Sequence, residues 1–470
     1  MISFNRQYSL HLFIPPSFPL RPRSGHASPA TGEGRKRREP VAVGRLHTRA
    51  GIHRRFFLSL QISPPPLRGR TKEGGAPRYA INGGSSGQTD YRNPTTLSSA
   101  QSAYRRASHS SPVATLLIIA AIFLLASAFT YKLALPGRKI SFPQDHYSHP
   151  DFKTEWWYYT GHLTTETGKS YGYQVTFFRF GLRDRQEENK EKPPLFTELY
   201  LAHFALSDKI EKRFSFRERA NRGYGEKAGA KVDRYLVWNE DWKVEGKGKS
   251  HFVEIKDRDK SLKLHLTAAK PPVLHGQNGL SQKGEGEGRA SYYYSLTRLQ
   301  TAGELTIGNK KEKVSGLSWM DHEFGSNQLR DDQVGWDWFS IQLENKTELM
   351  LYLIRRQDGS PDPYSSGTLA FENGSTRHIP LSEFRVEVLE KWKSPNSGAT
   401  YPIKWRVTVP KEEIDLQITP FFSQQELDTR KSTQVTYWEG AVSVKGTHKK
   451  KPIQGQGYVE MTGYAGKLKV

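Results

Sequence analysis

The 470-residue chain contains no cysteine. That excludes disulfides, thiolate metal sites, a cysteine nucleophile and a lipidated-cysteine anchor. Methionine is scarce: after Met1 the next is Met320. Long amphipathic helical patterns are also scarce, and no helix-turn-helix, zinc-finger or RNA-binding motif accompanies the formal charge of +22. Nucleic acid is therefore not an expected partner. The charge is uneven as well: residues 1–112 hold 18 Lys and Arg against 4 Asp and Glu, which is most of the excess.

Residues 1–112 are rich in Pro, Arg, Ser and Gly, with runs such as Arg35-Lys-Arg-Arg38 and Pro64-Pro-Pro66. Without apolar periodicity they cannot bury enough surface to offset ordering entropy, so they read as a disordered basic segment. The missing methionines also allow translated sequence upstream of a later start. Val113 to Tyr131 is an uncharged apolar run, near the shortest length that spans a bilayer as a helix. Arg105 and Arg106 precede it, which places the N-terminus in the cytoplasm and the bulk of the chain outside. Ala126-Ser-Ala128 is a small-x-small cleavage pattern, so residues 113–131 read as a signal peptide or a transmembrane anchor. Either way the expected location is periplasmic or extracytoplasmic, secreted or membrane-anchored.

From about residue 142 the texture changes to short alternating runs, among them Tyr171–Phe180, Leu199–Leu206, Leu262–Leu266, Leu349–Ile354, Trp405–Val409 and Leu416–Thr419. Each has strand length and is rich in β-branched or aromatic residues, with turn signals such as Asp358-Gly and Glu372-Asn-Gly between them. The pattern predicts an all-β sandwich or barrel. It also repeats. Trp156–Leu163 leads through a polar turn to a strand ending at Arg179, and Trp336–Leu343 leads through a turn to a strand ending at Arg355. Two similar β-domains are expected, 142–329 and 330–470.

The chemistry concentrates in Gly316-Leu-Ser-Trp-Met-Asp-His-Glu-Phe-Gly-Ser326. Read as a strand, it puts Trp319, Asp321 and Glu323 on one face and Met320, His322 and Phe324 on the other. An acid desolvated beside an indole has a raised pKa and suits proton donation near neutral pH. The structural alternative is an ion pair of Asp321 or Glu323 with Arg179 or Arg355. Glu155, Trp157 and Tyr159 share a strand face, and aromatic density there suits an apolar ligand in a barrel mouth. His162, His203, His275 and His322 lack metal-ligand spacing, so no metal is expected. Ser318 lacks the second glycine of a nucleophile elbow. The acidic side chains of Gly284-Glu-Gly-Glu-Gly288 would repel phosphate.

Five stretches in order, Thr154–Leu163, His275-Gly, Ser291-Tyr-Tyr-Tyr-Ser295, Gly316–Gly325 and Gly335-Trp-Asp-Trp-Phe339, resemble the AttH-like family, which includes the carotenoid 1,2-hydratases (hydroxyneurosporene synthases). The resemblance covers roughly residues 142–470 and implies two lipocalin-like antiparallel β-barrels side by side. It implies an apolar isoprenoid or lipid ligand and no cofactor. In the hydratases an aspartate of an aromatic-x-Asp unit protonates an isoprenoid double bond, and water captures the cation; Trp319-Met-Asp321 matches that unit, with Trp in place of Tyr. The hydratases' His-x-Trp pair is replaced here, Tyr292 and Tyr294 being the nearest equivalents. The resemblance thus implies Asp321, Trp319, Tyr292 and Tyr294 as catalytic, and Glu155, Trp157, Tyr159, His275, Glu323, Trp336 and Trp338 as ligand-binding. Some exported relatives are encoded beside transporter components, which implies a membrane setting and a transporter partner. Carotenoid-type hydration, a non-enzymatic lipophile carrier and polyene cyclisation all remain open.

Overall fold

A computed structural model describes residues 131–182 and 197–468. All belong to one compact unit, Ser99–Val470. The basic segment and nearly all of the apolar run at 113–131 lie outside the described residues. No described helix is long and apolar enough to cross a membrane.

Two antiparallel sheets make up the fold, and each curls into a nearly closed barrel. The first has 13 strands between Thr154 and Gly325, the second 10 strands between Gln333 and Met461. Described helix is confined to three short 3-10 turns. Every strand expected from the sequence is present, for example Ser170–Gly181, Glu198–Asp208, Lys260–Ala268 and Glu348–Arg356. β-branched and aromatic residues suit these half-buried pleated surfaces.

Side chains close the first barrel. Along the edge strand Arg213–Arg222, Asn221 donates to Asn239 at 2.7 Å, Arg219 to the Asn239 carbonyl at 3.0 Å and Arg217 to Asp257 at 2.7 Å. In the second barrel the edge strands Thr376–Pro380 and Arg385–Lys393 are joined by the Leu381–Glu383 turn, where Arg377 pairs with Glu383 at 2.7 Å.

Each barrel has its own core. Trp157, Tyr159, Phe177, Trp242 and Met320 fill the first, and Phe339, Leu351, Trp405, Trp438 and Val442 the second. Strand alternation sends the intervening residues outward, where the barrels pack face to face. Tyr158, Tyr293, Trp319, Trp338, Tyr352 and Tyr458 form a third apolar cluster there. At Gly172 the faces approach so closely that a Cβ would lie 2.3 Å from that of Ala441. Buried Glu348 of the second barrel accepts from Arg298 of the first at 2.6 Å and from Lys270 at 2.6 Å. His162 meets the Gly457 carbonyl at 2.9 Å across the same seam.

Candidate active site

The strand Lys310–Gly325 runs along this seam. Its alternation is as expected: Met320 enters the first barrel's core and His322 stacks on Trp157, while Trp319 and Asp321 face the second barrel. Asp321 is 4% exposed and has no cation partner among the described residues. It accepts hydrogen bonds from the Tyr293 hydroxyl at 2.5 Å, the Trp319 indole at 2.5 Å and the Ser295 hydroxyl. Desolvation pushes its pKa up to about 7 against the pull of those three donors. Oδ1 takes two donors and Oδ2 one, so Oδ2 keeps a lone pair for a proton.

A layered set of partners fixes this geometry. Trp338 of the second barrel donates to the Tyr293 oxygen at 2.9 Å. Behind Ser295, His275 lies 2.6 Å from its hydroxyl and 2.9 Å from that of Thr368. Burial, then the charge of Lys283, holds the His275 pKa well below the ordinary histidine value, so its ring is neutral. Glu323 accepts from Ser291 and lies 3.4 Å from Lys283. The Lys283 ammonium sits 4.0 Å from the Tyr352 ring centroid and 5.0 Å from that of Tyr293. Burial opposes its charge most strongly, but Glu323, Tyr352 and Asp321 together raise its pKa.

Several expected site residues fall elsewhere. Tyr292 and Tyr294 point away from Asp321. Tyr292 binds the Leu135 backbone, and Tyr294 meets His146 at 2.7 Å and His322 at 3.0 Å inside the first barrel. Cross-strand pairing explains the correction: Ser295 lies opposite Asp321 and Tyr293 opposite Glu323, so Tyr293 and Ser295 share the acid's face. Glu155, Trp157 and Tyr159 also lie inside the first barrel rather than at the seam. Glu155 is bound by Arg179 at 2.9 Å, His149 at 2.7 Å and His322 at 2.9 Å. Despite burial these partners hold its pKa well below the usual carboxylate value. Arg179 is thereby committed to Glu155, and Arg355 to Asp337, so neither pairs with Asp321 or Glu323. Trp336 and Trp338 do lie at the seam, Trp338 at 5.2 Å from Tyr158 and 6.2 Å from Trp319 between ring centroids.

Among the described residues one cluster has metal-ligand composition: His149, Glu155 and His322, with ligand atoms within 4.8 Å of one another. Both imidazoles already hydrogen-bond Glu155 Oε1, and the Arg179 guanidinium occupies Oε2. A dication there would sit beside a fixed positive charge, so the donor set fits a hydrogen-bonded ion cluster better than a metal.

The seam also holds Glu439 and Glu460, which the sequence reading missed. Each ends an aromatic-x-Glu unit, Tyr437-Trp-Glu439 and Tyr458-Val-Glu460, the same spacing as Trp319-Met-Asp321. That shared unit was the available signal. Desolvated acid, neutral imidazole and aromatic faces together can protonate an electron-rich double bond and shelter the resulting cation.

A sequence profile described as AttH-like matches residues 133–464. Among solved structures, an AttH protein of Nitrosomonas europaea is 35% identical with a TM-score of 0.64, covering 71% of this chain and 99% of that one. Kievitone hydratase of Nectria haematococca superposes with a TM-score of 0.55 at 17% identity, over 71% of this chain and 94% of that one, a likeness of fold. The kievitone hydratase sequence of Fusarium solani subsp. phaseoli is 23% identical over 175 residues, 36% of this chain. That alignment spans about half, 49%, of the Fusarium protein.

Proposed function

The chain belongs to the AttH-like family, and from that premise we propose that it adds water to a double bond of an apolar, isoprenoid-type molecule with Asp321 as proton donor. The family and the two-barrel, lipocalin-like fold are hydratase-like; substrate and donor are our reading. One observation carries it: Asp321 is buried with no ion-pair partner among the described residues, among three donors and beside aromatic rings, with a pKa of about 7. A carboxyl poised there is protonated in a large fraction of molecules at neutral pH and returns to that state easily after giving its proton away. Trp319, Trp338 and Tyr293 supply the electron-rich wall that a tertiary cation needs.

The setting is part of the proposal. The apolar run at 113–131 behind a basic flank supports export and work at a membrane, where lipophilic substrates and transporter components are found. A carrier would bind the same class of molecule and leave Asp321 chemically idle. Native mass spectrometry separates the two. The full chain, wild type and Asp321→Asn, is purified from a host containing carotenoids and lipids. A bound isoprenoid carrying one added water on wild type alone supports hydration. The same unmodified lipid on both proteins makes this a carrier.

A further inference from the structure

Asp321 accounts for the proton that goes onto carbon. It leaves unassigned the proton that the attacking water must lose. The second barrel's face of the seam carries two carboxyls that the donor role does not use. Glu439 and Glu460 are directly opposite one another on the antiparallel strands Val435–His448 and Lys451–Met461. Glu460 is in turn opposite Trp338 on its other side, and Trp338 is the indole that holds Tyr293 on Asp321.

The two carboxyls have different surroundings. Glu439 is fully buried; Oε2 accepts from the Tyr158 hydroxyl at 2.8 Å, while Oε1 has no hydrogen-bond partner. Thr160 Oγ1, two residues along the same outward face as Tyr158, is likewise buried and unpartnered. Buried polar atoms of this kind mark places for water or for polar ligand atoms. Glu460 is half-buried, and its donor among the described residues is the half-buried Trp336 indole at 3.3 Å. Glu439 thus ties the pair to the first barrel, and Glu460 is the more accessible of the two carboxyls.

We propose that Glu460, backed by Glu439, is the base that takes the proton from the attacking water. The role rests on the hydration reading above. Burial, then the fields of Asp321 and Glu323, pushes the Glu460 pKa up to about 7 despite the Trp336 donor. Burial, then the charge of Glu460, holds Glu439 well above the carboxylate range, so Glu439 stays protonated when Glu460 ionises. The groups facing this pair are Tyr158, Asp321 and Glu323 from the first barrel and Tyr437, Tyr458 and Trp336 from the second. Lys283, which faces Glu323 and the Tyr293 ring, pairs with Glu323.

The step balances. The Asp321 proton and the alkene π pair form the new C–H bond, leaving a tertiary cation and the Asp321 carboxylate. A water lone pair forms the C–O bond, and the water's proton passes to Glu460. Alkene plus water has become alcohol, and transfer of that proton through solvent to Asp321 resets both groups.

The test uses the full-length chain in D2O, with kievitone and an acyclic carotenoid as probes and Glu460→Gln, Glu439→Gln and Asp321→Asn as variants. In Glu460→Gln, hydration falls by roughly 100-fold or more while deuterium still exchanges into recovered alkene, because the Asp321 step survives. Asp321→Asn loses both. Hydration by Glu460→Gln at the wild-type rate overturns the assignment. So does loss of deuterium exchange in a Glu460→Gln protein that melts like wild type, since that would place Glu460 in the Asp321 step. Infrared titration of the carboxyls needs no substrate: Glu460→Gln lets Glu439 ionise at lower pH, and an unchanged Glu439 titration overturns the pairing. Glu439→Gln keeps the idea testable should Glu460→Gln fail to fold, because it leaves Glu460 in place and slows hydration without abolishing exchange. A wild type that neither hydrates nor exchanges either probe overturns the hydration reading and this role with it.

Discussion

The Tyr293 hydroxyl donates to Asp321 Oδ2 at 2.5 Å and is itself held by an indole from the other barrel. The proton affinity of Asp321 is therefore set partly by how the two barrels dock. Tyr293 stabilises the carboxylate form, so removing its hydroxyl raises the Asp321 pKa above about 7. An acid must be protonated to act, and the activity limb that falls with rising pH tracks this pKa. Tyr293→Phe shifts that limb to higher pH, as a pH profile of kcat/KM will show. An unmoved limb contradicts the coupling.

Tyr294→Phe gives the opposite pattern. Its hydroxyl bridges His146 and His322 on the far side of the strand. Stability drops by about 1–3 kcal/mol as buried imidazoles lose a partner, and the pH profile stays put. Chemical denaturation beside the same kinetic assay checks both halves.

Asp321 also makes stability depend on pH. Its folded pKa, about 7, lies above the ordinary value of 3.8. Below about pH 4 both folded and unfolded chains hold the proton. Between there and pH 7 the unfolded chain ionises while the folded one resists, so stability falls as pH rises and levels off above 7. Compared with Asp321→Asn, whose amide does not titrate, wild type loses on the order of 4 kcal/mol across that window. Urea titrations of both proteins from pH 4 to 8 measure the difference, and a constant difference refutes it. Glu155, whose pKa is depressed, acts in the opposite sense at acid pH and cancels in the comparison.

Glu348→Ala removes the buried carboxylate shared by Arg298 and Lys270 between the barrels. Two cations left in a dry seam cost roughly 3–5 kcal/mol. Thermal melts report the loss, and a shift within error of zero rules it out.

The fold was legible because its signals are local. Alternation and turn residues placed the strands from Ser170–Gly181 to Ile414–Pro420, and period 2 put Trp319, Asp321 and Glu323 on one face. The site was legible only where one strand sufficed. Whether Tyr292 or Tyr293 meets Asp321 depends on cross-strand register, and a slip of one residue reverses the face. The aromatic tract 156–163 was visible, but which alternating half fills a barrel and which half meets the second barrel is a tertiary fact. Glu439 and Glu460 lie more than a hundred residues from Asp321, and only the docking of two barrels brings them to it.

The central claim is that Asp321 delivers the proton. Turnover of kievitone and of an acyclic carotenoid by wild type and Asp321→Asn in D2O tests it most directly. The account predicts that wild type places deuterium on the carbon adjacent to the one that gains the hydroxyl, the carbon that Asp321 protonates. Asp321→Asn, folded and still binding the probe, should fall at least about 100-fold in rate and lose exchange into recovered alkene. Hydration by Asp321→Asn at the wild-type rate, with the same deuterium content, would contradict the account.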